Sequence, residues 1–189
     1  MTKTHAQSGF TLIELLITIV VVAVLIAIAA PSFTTLIANQ RSEGTAEDLV
    51  AALQLTKSEA VKRGTRVSLC AANTGGTACG SDWTEGWLMF VDSATSDAAA
   101  TPVLNASTDI LRYFDAPHDA SNISATNNGA VNFVRYTSTG QLARIGGSNN
   151  VTPVVFDVYA DKCKGDRRRN ISVGVAGMMD IERTACPGA

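Results

Sequence analysis

An uncharged apolar run near the start of this chain, residues 15–30, leaves few folds open to it; one carboxylate, Glu14, precedes the run, set among Leu12, Ile13, Leu15 and Leu16. Residues 10–30 as a helix, rising 1.5 Å each, cover roughly 32 Å, which matches a bilayer core of about 30 Å. The run is apolar all round, as a membrane span should be. Before it comes a short polar leader with Lys3 and His5, ending at Gly9. A conventional secretory signal places its small-residue cleavage site after the hydrophobic stretch and so discards that stretch. Here the small residue comes first. Processing after Gly9 retains the helix and leaves a free amine on Phe10.

Glu14 then needs a cation, because a carboxylate in hydrocarbon costs a few kcal/mol on insertion scales. An amine on Phe10, with a reference pKa of about 8, supplies one. Within one chain the two groups sit about a helical turn apart, and a neighbour staggered along the axis brings its own amine closer. Glu14 therefore reads as a register pin for subunit insertion. The plainer alternative leaves it at headgroup level, paired with water.

The helix is expected to continue to Arg63 in two unlike halves. Pro31 lacks an amide donor and crowds the carbonyl of Ala27, so a break or kink is expected there. Beyond it the apolar residues fall on one face. Phe33, Leu36 and Ile37 come first, then Ala46, Leu49, Val50, Leu53, Ala60 and Val61, with Arg41, Glu43, Glu47, Lys57, Glu59 and Lys62 elsewhere. Lys62 and Arg63 suit the negative end of the helix, Gly64 is a left-handed stop, and Gly44 weakens the middle. The expected division is a leader at 1–9, a membrane and assembly helix at 10–36, an amphipathic half at 37–63 and a β-rich head at 64–189.

The head alternates β patterns with turn residues. Strands are expected at 66–70, 87–91, 110–114, 130–136, 154–159, 170–175 and 178–183. The Ala-, Ser-, Thr- and Asp-rich tract 92–109 reads as an exposed loop, and Asn127-Asn128-Gly129 and Gly146-Gly147 as turns. The predicted class is α+β, a mainly antiparallel sheet packed on the amphipathic helix half. With 189 residues, one domain remains after the helix is subtracted. Four cysteines in a chain delivered across a membrane imply two disulfides. Of three connectivities, Cys70 with Cys79 and Cys163 with Cys186 is preferred, since each pair brackets a loop or hairpin.

Gly9 followed by Phe10-Thr11-Leu12-Ile13-Glu14-Leu15-Leu16 resembles the class III signal of type IV prepilins and of the pseudopilins of type II secretion systems. The resemblance implies cleavage after Gly9 by a prepilin peptidase, methylation of the Phe10 amine, and polymerisation. It also implies that a proline at position 31 takes part in helix melting on filament packing. Trp83-Thr84-Glu85-Gly86-Trp87-Leu88-Met89-Phe90-Val91-Asp92 is similar to the head signature of the branch that includes GspH, FimT and FimU. The helix end from Leu53 to Gly64, and Phe133 with Gly140, fit the same branch.

This second resemblance implies a pilin-like fold and a minor pilin of a type IV pilus, in its priming or tip complex and serving twitching. The alternative is an H-type minor pseudopilin of a type II secretion system. Its partners would be other major and minor pilins, the prepilin peptidase and the inner-membrane assembly platform. Its place would be the inner membrane with a periplasmic head, then the pilus surface, in a Gram-negative-type bacterium. Trp83 and Trp87 read by themselves as core packing of two large rings.

Enzyme chemistry finds little support. His5 leaves with the leader, so His118 is one weak base, and its neighbours Asp115 and Asp119 read as a solvated turn. Gly75, Gly76 and Gly80 lack the lysine and hydroxyl of a phosphate loop, and Asp92, Asp97 and Asp109 lack the alternation of an EF-hand. No cofactor or metal is expected. Lys162, Lys164, Arg167, Arg168 and Arg169 against Asp161 and Asp166 form the one basic cluster that could bind phosphates. FimT-like pilins are associated with DNA uptake through a glycine-arginine-any-arginine motif. The matching place here is Gly177-Met178-Met179-Asp180, without either arginine, and no aromatic residues are interleaved with the basic cluster. DNA binding is the minor alternative.

Overall fold

The computed structural model describes residues 10–117, 121–127, 129–143 and 153–188, with backbone alone at 29–31. The leader with Gly9, the pair His118 and Asp119, Asn128, and the Gly146-Gly147 turn lie outside the described residues.

One helix, α1 (Leu12–Arg63), runs through both expected halves. It starts two residues later than expected, because Thr11 is extended and caps it: the Thr11 hydroxyl oxygen accepts from the Glu14 amide at 3.3 Å. It stops at Gly64, whose φ of 63° allows the Gly64 amide to donate back to Val61. The break expected at Pro31 does not occur, and the helix is continuous through that residue. A proline deletes one donor from the ladder while the flanking bonds remain, so loss of one bond need not end a 52-residue helix.

Among the described residues eight strands follow, all paired antiparallel: β1 (Val67–Ala71), β2 (Trp87–Val91), β3 (Ile110–Phe114), β4 (Ser121–Thr126), β5 (Phe133–Tyr136), β6 (Val154–Ala160), β7 (Arg168–Val173) and β8 (Met179–Thr184). They form two four-stranded sheets, ordered β3-β2-β1-β5 and β4-β6-β7-β8. The single expected sheet is thus two, and β4 was not expected at all. Its Ser-Asn-Ile-Ser-Ala-Thr sequence has only one large apolar residue, yet it buries Ser121, Ile123 and Ala125 alternately. The strand expected at 130–136 is shorter, since only Phe133–Tyr136 pairs in a ladder and Ala130 makes an isolated bridge to Thr126.

The main core lies where α1 meets both sheets. It contains Ala46, Leu49, Leu53 and Ala60 of the helix, Val67, Leu69, Met89 and Tyr136 of one sheet, and Phe156, Val158, Ile171 and Val173 of the other. Burying a leucine such as Leu49 or Leu53 contributes about 1.5–3 kcal/mol relative to leaving it in water. A smaller core of Cys70, Leu88, Phe90 and Phe133 fills the opposite face of the first sheet, with Leu104 and Ile110 packed on it. That second core corrects the reading of 92–109 as a merely exposed loop. The loop is the roof over the outer face of the first sheet, which is why β1 is buried at every position.

The roof is pinned by an ion pair. Arg135 and Asp92 meet at 2.7 Å with both side chains fully buried. The Asp92 carboxylate also accepts from the Ser68 hydroxyl and from the amides of Ala94 and Val103. The guanidinium of Arg135 also donates to the carbonyls of Asp97, Ala99 and Thr101. Asp92 is therefore a structural anchor of the loop and no candidate for a calcium ligand. Burial would raise its carboxyl, but the bonds from Ser68, Val103, Arg135 and Ala94 hold it below the ordinary aspartate range.

The tryptophan motif is also core. Trp83 donates its indole N–H to the Val131 carbonyl, Trp87 donates to the Trp83 carbonyl, and the Trp83 ring meets Phe156 edge-on at 4.9 Å. Gly86 between them has a φ of 102°, and a Cβ there would lie 2.5 Å from the Phe114 carbonyl oxygen. The spacing of the two tryptophans around a glycine is a packing requirement.

Candidate assembly interface

The described part of α1 divides sharply at Ala38. Every described side chain from Leu12 to Ile28 is exposed, and Phe33, Leu36 and Ile37 continue the apolar surface. An 18-residue window of this helix has a mean hydropathy of 3.1 and none of it is buried. It is one helix long and apolar enough to cross a membrane. A helix this greasy with no cover in its own chain must be covered by lipid or by other chains.

Glu14 stands near its start. Among the described residues its carboxylate makes no hydrogen bond or ion pair, while its amide is occupied by the Thr11 cap. Phe10 beside the cap is exposed. The structure thus leaves the acid on the uncovered face, beside the helix N-terminus, where the dipole favours a negative charge.

From Ala38 upward the helix is held by the head. Ser42 is buried and its hydroxyl accepts from the Ala160 amide at 2.7 Å. Asn39 accepts from the Lys164 amide at 3.0 Å, and the Thr45 and Ser121 hydroxyls meet at 3.1 Å. Near the far end Lys57 donates to the carbonyls of Gly177 at 2.8 Å and Ala176 at 3.4 Å. The Gly177 turn is closed against the Gly140 backbone, where a Cβ on Gly177 would lie 2.2 Å from the Gly140 carbonyl oxygen. That turn is therefore a tie to the helix, with Met178 exposed beside it.

The basic cluster is dispersed by the fold. Arg167 and Arg169 both donate to one carboxylate oxygen of Glu43, at 2.8 Å and 2.6 Å. Arg168, on the opposite face of β7, forms a two-pronged pair with Asp157 on β6. The hydrogen bond from Arg167, opposed by burial and reinforced by the charges of Arg167, Arg169 and Arg183, lowers the Glu43 carboxyl below its ordinary range. Only Lys162 and Lys164 of the five expected cations remain exposed without a side-chain partner among the described residues. The disulfides are Cys70–Cys79 and Cys163–Cys186, and the second closes the segment carrying these lysines.

Sequence reasoning did not find the anchors Asn39, Ser42, Thr45 and Glu43, nor the Arg135–Asp92 pair. A signal existed for the pair: Arg135 is a lone charge inside the apolar strand Phe-Val-Arg-Tyr, and a buried charge requires a partner.

A long helix with one bare apolar half and one half clamped to an antiparallel head defines a class of membrane-anchored, filament-forming subunits. The sequence model of the family described as Type II transport protein GspH matches residues 45–177, and the prokaryotic N-terminal methylation motif matches residues 4–30. The chain belongs to the GspH family, as a minor pilin or pseudopilin of a type IV pilus or a type II secretion system. A relative described as the type IV narrow pilus major component PilA5 of Thermus thermophilus is 34% identical over 105 residues, covering 53% of this chain and 81% of that protein. Among solved structures, the type IV minor pilin FimU of Pseudomonas aeruginosa superimposes with a TM-score of 0.54 at 22% identity, covering 77% of this chain and 92% of that one. The minor pseudopilin EpsH of Vibrio cholerae gives a TM-score of 0.48 at 12% identity, covering 79% and 99%. These relatives are structural subunits and not known enzymes.

Proposed function

We propose that the chain is a minor pilin of a type IV pilus, entering the filament or its priming tip complex through residues 10–63, and that it catalyses no reaction. The observation that carries this reading is the apolar half of α1, exposed at every described residue from Leu12 to Ile28, on a head whose two cores close without it. A prepilin peptidase would cut between Gly9 and Phe10 and methylate the Phe10 amine. The inner-membrane assembly platform would then extract the subunit, with its head on the periplasmic side. Glu14 would pair with the Phe10 amine of a staggered neighbour and so set the register. Pro31, helical here, would be the place where the helix yields if packing demands it.

The test is the Glu14→Ala variant, scored for incorporation into sheared surface pili. Strong loss of incorporation is expected, and unchanged incorporation with unchanged pilus yield would refute the register role. A second reading, the H-type pseudopilin of a secretion system, is supported by the GspH match. Deletion separates the two: loss of twitching supports the pilus, loss of protein secretion the secretion system. The pilus is favoured because the 34% identical relative is a pilus component. A DNA-receptor role is not favoured, since Arg167, Arg168 and Arg169 are spent on Glu43 and Asp157.

A further inference from the structure

We propose that the segment carrying Lys162 and Lys164 is a docking surface for anionic phospholipid headgroups, which seats the head on the membrane before assembly. The inference rests on the membrane-anchored reading of residues 10–36. It arises from where the fold puts this loop. Counting along α1, burial by the head begins at Ala38, and the elements that cover the helix there are the end of β6 and the loop after it. The Lys164 amide is fixed to Asn39, the Ala160 amide to Ser42, and Arg167 to Glu43. This loop is accordingly the part of the described head that meets α1 lowest, next to the bare apolar segment.

The helix supplies a scale. If Glu14 stays at one headgroup layer, a hydrocarbon core of about 30 Å uses about 20 residues and ends near Thr35. Leu36 and Ile37, both exposed, then lie at the boundary. Asn39 lies roughly 6 Å beyond Thr35, inside the far headgroup layer. Lys164 reaches down this side of the helix, where with Ser32, Thr35, Leu36 and Asn39 it lines a shallow hollow of about 470 Å³. Leu36 with the hydroxyl-bearing Ser32 and Thr35 lines the hollow below and Lys164 lines it above, which places the cation at the level of a phosphate headgroup.

Charge supports the same partner. Arg41, Lys162, Lys164, Arg167, Arg168 and Arg169 outnumber Glu43, Asp157, Asp161 and Asp166 by two. Lys162 and Lys164 are matched in number by Asp161 and Asp166, and the surplus of two comes from Arg41 and from three arginines that share Glu43 and Asp157, so the face around the loop is net cationic. Cys163 between them is bonded to Cys186, and the Cys186 amide donates to Gly165, so the loop is braced in place. Nucleic acid also carries phosphates, but it would need free arginines and stacking rings, and it would have to reach a loop beside the bilayer.

The experiment uses the full chain in nanodiscs of neutral phosphatidylcholine and in discs that also contain phosphatidylglycerol. Accessible amines are pulsed with an uncharged acetylating reagent and read by peptide mass spectrometry. Lys62 is the internal control, exposed and roughly 35 Å further along the helix than Asn39. Lys162 and Lys164 should acetylate about fivefold more slowly in the anionic discs, in line with the attraction of one basic residue to an anionic surface. The protection should vanish at about 1 M salt, where screening reaches about 3 Å, and Lys62 should not change. The K162Q/K164Q double variant should lose phosphatidylglycerol enrichment among its co-purified lipids. Equal acetylation in both discs, or protection of Lys162 and Lys164 by duplex DNA in neutral discs but not by anionic lipid, overturns the proposal. A chain that does not stay in either disc overturns instead the anchor reading beneath it.

Discussion

The two halves of α1 are one continuous helix built for two different surroundings. The described side chains of residues 12–37 are mostly apolar and, apart from half-buried Thr35, exposed, whereas residues 38–63 bury one face under two sheets and hold that face with polar ties. The ties that hold the head lie in the upper half: Ser42 to Ala160, Glu43 to two arginines, Lys57 to the Gly177 turn. Stability and assembly are thereby separated along one element. Substitutions above Ala38 should act on folding of the head, and substitutions below it should act on what the subunit joins.

The severest challenge to that separation is to attack the head far from the helix and ask whether assembly is affected other than through folding. Arg135→Ala strands the buried Asp92 carboxylate and should cost about 3–5 kcal/mol, read by urea denaturation in detergent. Leu53→Ala, at the helix–sheet contact, should cost about 2–5 kcal/mol by the same measurement, through the cavity it leaves. Glu43→Gln removes the partner of Arg167 and Arg169 and should cost about 1–2 kcal/mol, because Arg169 is nearly buried while Arg167 is not.

The pH dependence has a definite sign. Asp92 and Glu43 both have lowered folded-state pKa values, so the stability they contribute is present above the ordinary carboxylate range and is lost as pH falls through the lowered values. Denaturation midpoints should therefore fall only in acid below about pH 4, and Glu43→Gln should flatten part of that slope. At the small end, Val22→Ala should leave the head's denaturation midpoint unchanged within about 0.5 kcal/mol, since the side chain is exposed and lies outside both cores of the head. A large shift from Val22→Ala would contradict the division of labour along α1.

Much of this was legible in the chain. Strands at 87–91 and 110–114 fall where apolar and aromatic content puts them, and the continuous apolar run of the first is buried at four of its five positions. The Gly64 stop follows from backbone chemistry within four residues, whereas the cap at Thr11 sets the start two residues after the expected Phe10. The strand β4 was not legible, since its burial comes from a neighbour, β6, more than 30 residues later, and not from its own apolar content. The long helix to Arg63 was legible, but a local rule placed a break at Pro31 where the helix is continuous.

Hydropathy, periodicity and capping are local properties, and they were enough to define the uncovered helix with its lone acid, the two-part organisation and the α+β class. The fate of the charges was settled only in three dimensions. Five neighbouring cations read as one patch along the chain, yet strand alternation turns Arg168 toward Asp157 on the adjacent strand, while Arg167 and Arg169 find an acid distant in sequence, Glu43. Pairing is a matter of distance in space, and 124 residues separate Arg167 from Glu43.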